Sequence, residues 1–173
     1  QVPMLTVERD GELYVQGHIM RNTDHHKALM ENPNVLVVFT GPSTYVSASW
    51  YSNSQMGSTW NYMSVHAKGQ ISFGDRKELV TALKRLTLHY ENNNTASTTV
   101  FDNLPDEYLE PLMKAIVPFE IEVTAADNVF KLSQNRDEKS YDNIIAQLEK
   151  QDEAAKYIAG QMRARRSQLF KDK

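Results

Sequence analysis

The sequence has 173 residues and not one cysteine. Disulfides, zinc–thiolate sites and thiol nucleophiles are thereby excluded, and the expected setting is a reducing one, the cytoplasm. No apolar run approaches the roughly 20 residues of a membrane-crossing helix, and no signal-peptide pattern opens the chain, so no membrane partner is expected. Basic charge is not in surplus. The net charge is −3, which argues against a surface built mainly for nucleic acid. There is no GxGxxG fingerprint, no HExxH or His/Cys ligand spacing, no Ser–His–Asp order and no internal repeat. Among the five histidines, His25 and His26 are adjacent and so diverge on a helix, while His18, His66 and His89 fall on separate elements, so no metal site is expected.

What is present is ordinary globular material: 40% apolar and 24% charged residues, enough for one domain over 1–173 with a sizeable core. The most informative stretch is GHIMRNTDHHKALMENPNVLVVFTGP, residues 17–42. It reads as a strand end, a polar turn, a short helix carrying a lysine in its first turns, and a strand. A helix start offers unpaired N–H groups and a positive dipole end, and Lys27 adds a full charge. That combination suits a phosphate group.

The first half is strand-rich. Val2–Val7 and Glu12–His18 flank Asp10-Gly11, a strong hairpin signal. A helix is expected over 23–31, capped by Thr23 or Asp24 and stopped by Asn32-Pro33-Asn34. Val35–Thr40 reads as a strand buried on both faces, with Gly41-Pro42-Ser43 as a turn. Thr44–Tyr51 reads as an alternating strand with Ser47 and Ser49 on one face, residues 52–58 as a mobile loop, and Thr59–Phe73 as a long strand with a possible bulge at Gly69. Beyond these, a helix is expected from Asp75 to about Glu91, and a short one over 106–115 containing a disruptive Pro111. Phe119–Val123 and Val129–Ser133 read as two pairing strands, and the C-terminal segment, about 137–168, as helical. Six or more strands with few helices give a mainly β (α+β) class, a small antiparallel barrel with peripheral helices.

Taken together, GHIMRNTD at 17–24, ENPNVLVVFTGP at 31–42, YVSASWY at 45–51, TWNYMSVHAKG at 59–69 and KLSQNR at 131–136 resemble the FMN-binding split-barrel superfamily, and within it the Pai-type negative transcriptional regulators. The resemblance implies a six-stranded split β-barrel, a homodimer, and FMN in a groove at the dimer interface. It also implies that the opening helix and first barrel strand precede Gln1, so that this chain lacks that strand. The family name reflects repression of sporulation and protease genes, whereas the wider superfamily includes oxidases and flavin reductases. An FMN-dependent oxidoreductase, for instance an NAD(P)H-dependent flavin reductase, is therefore the alternative reading.

FMN needs donors for its phosphate, short polar groups for its ribityl chain and flat apolar walls for its ring. For the phosphate, Arg21, Asn22, Thr23 and Lys27 are the candidates, with His26 standing where split-barrel relatives often carry an arginine. Ser47 and Ser49 suit the ribityl chain or phosphate. Trp50, Tyr51, Trp60 and Tyr62 are candidate ring walls; Trp60 is favoured because Asn61 beside it offers a donor to the ring edge. The plainer reading makes the cations solvated surface charges, the serines exposed strand residues and the aromatics core or interface. The one basic cluster is Arg163, Arg165, Arg166, Lys171 and Lys173. It could touch DNA phosphates, but no DNA-reading motif accompanies it.

Overall fold

A computed structural model describes residues 1–53 and 55–170; Ser54 of the expected loop and Lys171, Asp172 and Lys173 of the basic cluster lie outside the described residues. The elements are β1 (Leu5–Arg9), β2 (Glu12–Met20), α1 (Asp24–Glu31), β3 (Asn34–Val46), β4 (Thr59–Phe73), α2 (Arg76–Tyr90), α3 (Asp106–Ala115), β5 (Ile116–Lys131), α4 (Glu138–Leu148) and α5 (Glu153–Leu169), with single 3₁₀ turns at Ala48–Trp50 and Phe101–Asn103. The five strands form one sheet in the order β1-β2-β5-β4-β3, and both the β1/β2 and β2/β5 pairs are antiparallel. The class is mainly β with helices. Two compact units make up the chain: Gln1–Val37 with Ala67–Ala126, and Val38–His66 with Asp127–Lys173.

In the first unit, Asp10 and Gly11 both take positive φ (54° and 83°), the backbone that a two-residue hairpin with right-handed strand twist requires. Alternate positions of β2, β4 and β5 then point inward, and Val15, Ala67, Ile71, Phe119 and Ile121 join Val37 in one apolar cluster. A second cluster, Leu79, Phe101, Leu109 and Met113, packs α2 against α3. Helix α2 opens on a capping box. The Asp75 carboxylate accepts from Glu78 N–H, and the Glu78 carboxylate accepts from Asp75 N–H.

The second unit is built around α4 and α5, whose Tyr141, Ile144, Leu148, Ala155, Ile158 and Met162 bury against Val46, Tyr51, Met63 and Leu132. The Tyr141 hydroxyl donates to the Met162 carbonyl at 2.9 Å, and burial pushes its phenol up to about 12. Asp137 caps α4. Its carboxylate accepts from the Ser140 hydroxyl (2.6 Å), the Ser140 N–H (2.9 Å) and the Ser52 hydroxyl (3.0 Å), tying the segment after the 3₁₀ turn to the helix start.

Several sequence expectations are corrected. Five strands are found among the described residues, not six or more, because Val35–Thr40 and the start of Thr44–Tyr51 run together in β3, and Phe119–Val123 and Val129–Lys131 in the single long strand β5. Val35–Thr40 is not buried on both faces: Leu36 and Val38 are 56% and 48% exposed, and with exposed Thr40 they share the face of β3 that is left uncovered. Gly41-Pro42-Ser43 does not turn the chain but continues β3, a site that proline tolerates in a terminal strand. Beyond Val46 the alternation stops, and Ser47 caps the 3₁₀ turn. Gly69 is no bulge; the inward positions Ala67, Gly69 and Ile71 follow one another without a slip. Its reason is closeness: a Cβ there would lie 2.2 Å from the Glu122 carbonyl oxygen. Helix α3 runs through Pro111, with Leu109 and Met113 buried on either side of it.

Two outcomes follow from this packing. Gly69→Ala, which must push β4 and β5 apart, is expected to lower stability by about 3 kcal/mol in urea unfolding. Donation by Ser140, then by the other groups, holds the Asp137 carboxyl down at about 2 against an ordinary 3.8. A carboxyl lowered by folding stabilises the fold above its ordinary value, and the effect drains away as pH falls through about 2. Asp137→Ala should therefore lower the urea midpoint at pH 7, and the deficit should shrink between about pH 4 and pH 2.

Candidate functional site

The strand-to-helix corner of the first unit is built by three consecutive residues. Arg21 N–H donates to the Ala115 carbonyl at 2.8 Å, which extends the β2/β5 edge by one bond, and its guanidinium donates to the Ile116 carbonyl at 3.1 Å. Asn22 takes positive φ (64°) and reverses the chain. Thr23 then works in both directions: its hydroxyl donates to the Met20 carbonyl and accepts from His26 N–H, each at 3.2 Å. Of the two caps the sequence offers, Thr23 and Asp24, Thr23 is the one used. The next two N–H groups, of Asp24 and His25, have no carbonyl one turn back to reach.

His26 does not take the place of a surface cation. It is buried, its ring meets Phe73 edge-on at 4.6 Å, and its Nδ1 accepts from Asn22 N–H at 3.1 Å. A nitrogen in that role carries no proton. The exposed cations at the corner are therefore Arg21 and Lys27, the latter 3.6 Å from the exposed Asp24 carboxylate.

The remaining candidates lie in the second unit. The Ser47 and Ser49 hydroxyls are hydrogen-bonded to each other at 2.8 Å, across the 3₁₀ turn rather than along a strand face. Trp60 is 54% exposed, with Tyr45 edge-on at 6.1 Å and exposed Tyr62 two residues along β4. Asn61 is on the opposite strand face, fully buried; its Oδ1 accepts from the Ser133 hydroxyl at 2.9 Å and its amide nitrogen lies 3.5 Å from the Met162 sulfur. The donor expected beside the Trp60 ring thus points away from it, as alternate strand residues must. Trp50 and Tyr51 pack on the α4/α5 core, and Arg136 stacks over Tyr51 at 4.3 Å. One residue not singled out from sequence joins the exposed face: Lys131, whose ammonium donates to the Thr59 hydroxyl at 2.7 Å and stands 5.9 Å from the Tyr62 ring. Its signal was the first letter of KLSQNR.

The described arginines of the C-terminal cluster are engaged within the chain. Arg163 pairs with Glu149, Arg166 pairs with Asp142 and Glu138, and Arg165 donates to Gln161 while lying over Phe130. Among the described residues no group of three His, Asp or Glu side chains could hold a metal ion, and no helix is long and apolar enough to cross a membrane.

Comparison with known proteins gives this arrangement its class. Residues 1–125 match the model of the family described as "Putative FMN-binding domain". The chain is 35% identical over 151 residues to the Bacillus subtilis "Protease synthase and sporulation protein PAI 2", covering 87% of this chain and 72% of that protein. It is 28% identical to an uncharacterized protein of Emericella nidulans over 90% of this chain and 76% of the relative. Among solved structures, the FAD and heme binding protein of Mycobacterium smegmatis is similar with a TM-score of 0.51 at 15% identity, over 73% of this chain and 63% of that one, a likeness of fold alone. The fold is of the split-barrel type. The chain belongs to the FMN-binding domain family and is PAI 2-like within it.

The corner makes a direct prediction about stability. Thr23→Ala removes both hydroxyl bonds and should cost about 1 kcal/mol in thermal or urea unfolding, whereas Thr23→Ser should be close to neutral.

Proposed function

We propose that this chain is a PAI 2-like regulatory flavoprotein, a cytoplasmic homodimer with FMN at its interface. Arg21, Asn22, Thr23 and Lys27 would hold the phosphate, Ser47 and Ser49 the ribityl chain, and the exposed Trp60 face the flavin ring; Asn61 would set Trp60 from behind. The observation that carries this reading is the corner at residues 21–27. Two exposed cations flank a helix start whose first N–H groups have no helical carbonyl to reach, a donor set suited to a phosphate monoester. Bound FMN supplies reversible electron transfer at its ring. The chain's part is to fix the phosphate and cover one ring face.

The regulatory half of the proposal rests on the similarity to PAI 2. Because the described C-terminal arginines are already paired with acidic or amide partners, the regulatory effect is assigned to a flavin-dependent partner or a weak DNA contact rather than to a basic tail reading a groove. Repression of sporulation and protease genes is the corresponding outcome.

Titration of the apoprotein with FMN, followed by flavin fluorescence, tests the site. Quenching is expected for the wild type. Lys27→Ala should weaken binding by about 1.5–3 kcal/mol through loss of a charge-assisted contact. Trp60→Ala should reduce the quenching at saturation. Unchanged affinity in Lys27→Ala places the phosphate elsewhere, and a wild type that neither quenches flavin nor gains thermal stability from it removes the proposal.

A further inference from the structure

We propose that a second site, a cleft in the first unit between α2 and the β2/β5/β4 sheet, binds a small organic molecule carrying two or more negative charges. The cleft measures about 510 Å³. That is within the usual range for small-ligand sites. It shares no lining residue with the 21–27 corner, and it does not depend on the FMN reading.

The argument is one of charge. Arg9, Lys77 and Arg85 line the cleft with Asp75, Glu78 and Glu120, so the formal sum is zero. The six are not equally free. Asp75 and Glu78 are each committed to a backbone N–H at the start of α2, where the helix dipole further balances them. Both Glu120 oxygens are taken, one by Arg9 and one by the Gln16 amide at 2.6 Å. Arg85, by contrast, donates among the described residues only to the neutral Gln16 Oε1, at 2.7 Å. Lys77 has no ion-pair partner among the described residues. Two positive charges therefore face the cleft without a carboxylate of their own.

Their placement defines the ligand. Lys77, Thr81 and Arg85 stand four residues apart on one stripe of α2, all three lining the cleft. The two cations are spaced by about 12 Å along the helix axis, a distance that long side chains can shorten. Arg85 can grip a carboxylate or phosphate with its remaining N–H groups, and Lys77 adds a point charge further along. Phe73, Pro118, Phe119 and Ala82 supply apolar surface between them. The fitting molecule is an elongated polyanion with an apolar body, its charges borne by phosphates or carboxylates.

The test uses the full chain saturated with FMN, so that the first site is occupied. It is titrated with ADP in one arm and citrate in the other, by amide-resolved NMR. At least one probe should shift amides of α2 and of strand residues 14–18, with an affinity that falls as salt rises. Binding of ADP alone assigns the cleft to phosphates, and of citrate alone to carboxylates. Lys77→Gln with Arg85→Gln should weaken that binding at least tenfold while leaving FMN affinity unchanged. Thr81→Glu, which puts a carboxylate between the two cations, should abolish it with the helix intact by circular dichroism. No shift of α2 amides by either probe up to about 5 mM, a binding energy near 3 kcal/mol, overturns the proposal. So does a double glutamine variant that binds like the wild type.

Discussion

One turn sets the geometry on which the candidate site depends. Between Met20 and Asp24 the chain must leave a strand and enter a helix in three residues. Asn22 supplies the positive φ, and Thr23 ties the last strand carbonyl to the first helical turn through a single hydroxyl. His26 completes the lock from inside by accepting the Asn22 N–H. Once the turn is closed in this way, the side chains of Arg21 and Lys27 are left exposed on either side of it. A helix capped by its own threonine does not lose its value to an anion. The cap uses the third N–H and leaves the first two, so local stability and ligand capacity draw on different donors.

Much of this was legible from residue types alone where the physics is local. Asp10-Gly11 marks a hairpin because both residues tolerate positive φ. Thr23 marks a helix start because a short polar side chain reaches back to the backbone, and Asp75 and Asp137 cap their helices in the same way. Failures came where tertiary placement decides. VLVVFT is as apolar as a central strand, yet β3 stands at the end of the sheet order, and no local pattern distinguishes the two. Residues 124–128 carry too little apolar signal to join two strand segments, although the backbone runs through them as one strand. The glycine at 69 was read as a conformational need when it answers a steric one. For the site, the residue types around 21–27 were legible, while the inward turn of His26 was not, since it needs Phe73 from β4.

The distribution of paired and unpaired charge separates ornament from capacity. Arg9, Arg76, Lys84, Arg163 and Arg166 each face a carboxylate. Such exposed pairs contribute little to stability, but they withdraw the cation from outside ligands. Among the described residues the Arg21 guanidinium donates only to a backbone carbonyl, and the Lys27 pair is long and open to water on both sides. A phosphate competing for Arg21 and Lys27 therefore has little to displace. The same criterion disfavours the C-terminal helix as a nucleic-acid surface, since binding there would first have to break Arg166 away from two acidic partners.

The exposed aromatic face of the second unit is itself a consequence of burial on the other side of the same strand. In β4, Asn61 is fully buried and pinned by Ser133 and Met162, and Met63 joins the α4/α5 core. A one-residue slip of the strand would bury Trp60 and Tyr62 against those helices and expose an amide whose bonds are already made. The register is held by a polar group with defined partners, which penalises such a slip more sharply than an apolar contact would, because an unpaired buried amide is costly. Ser133 can reach Asn61 because it takes positive φ (60°) directly after Leu132, a fully buried core residue. The KLSQNR segment thus acts on the aromatic face twice, through Lys131 beside Tyr62 and through Ser133 behind Trp60, although neither contact touches the tryptophan ring.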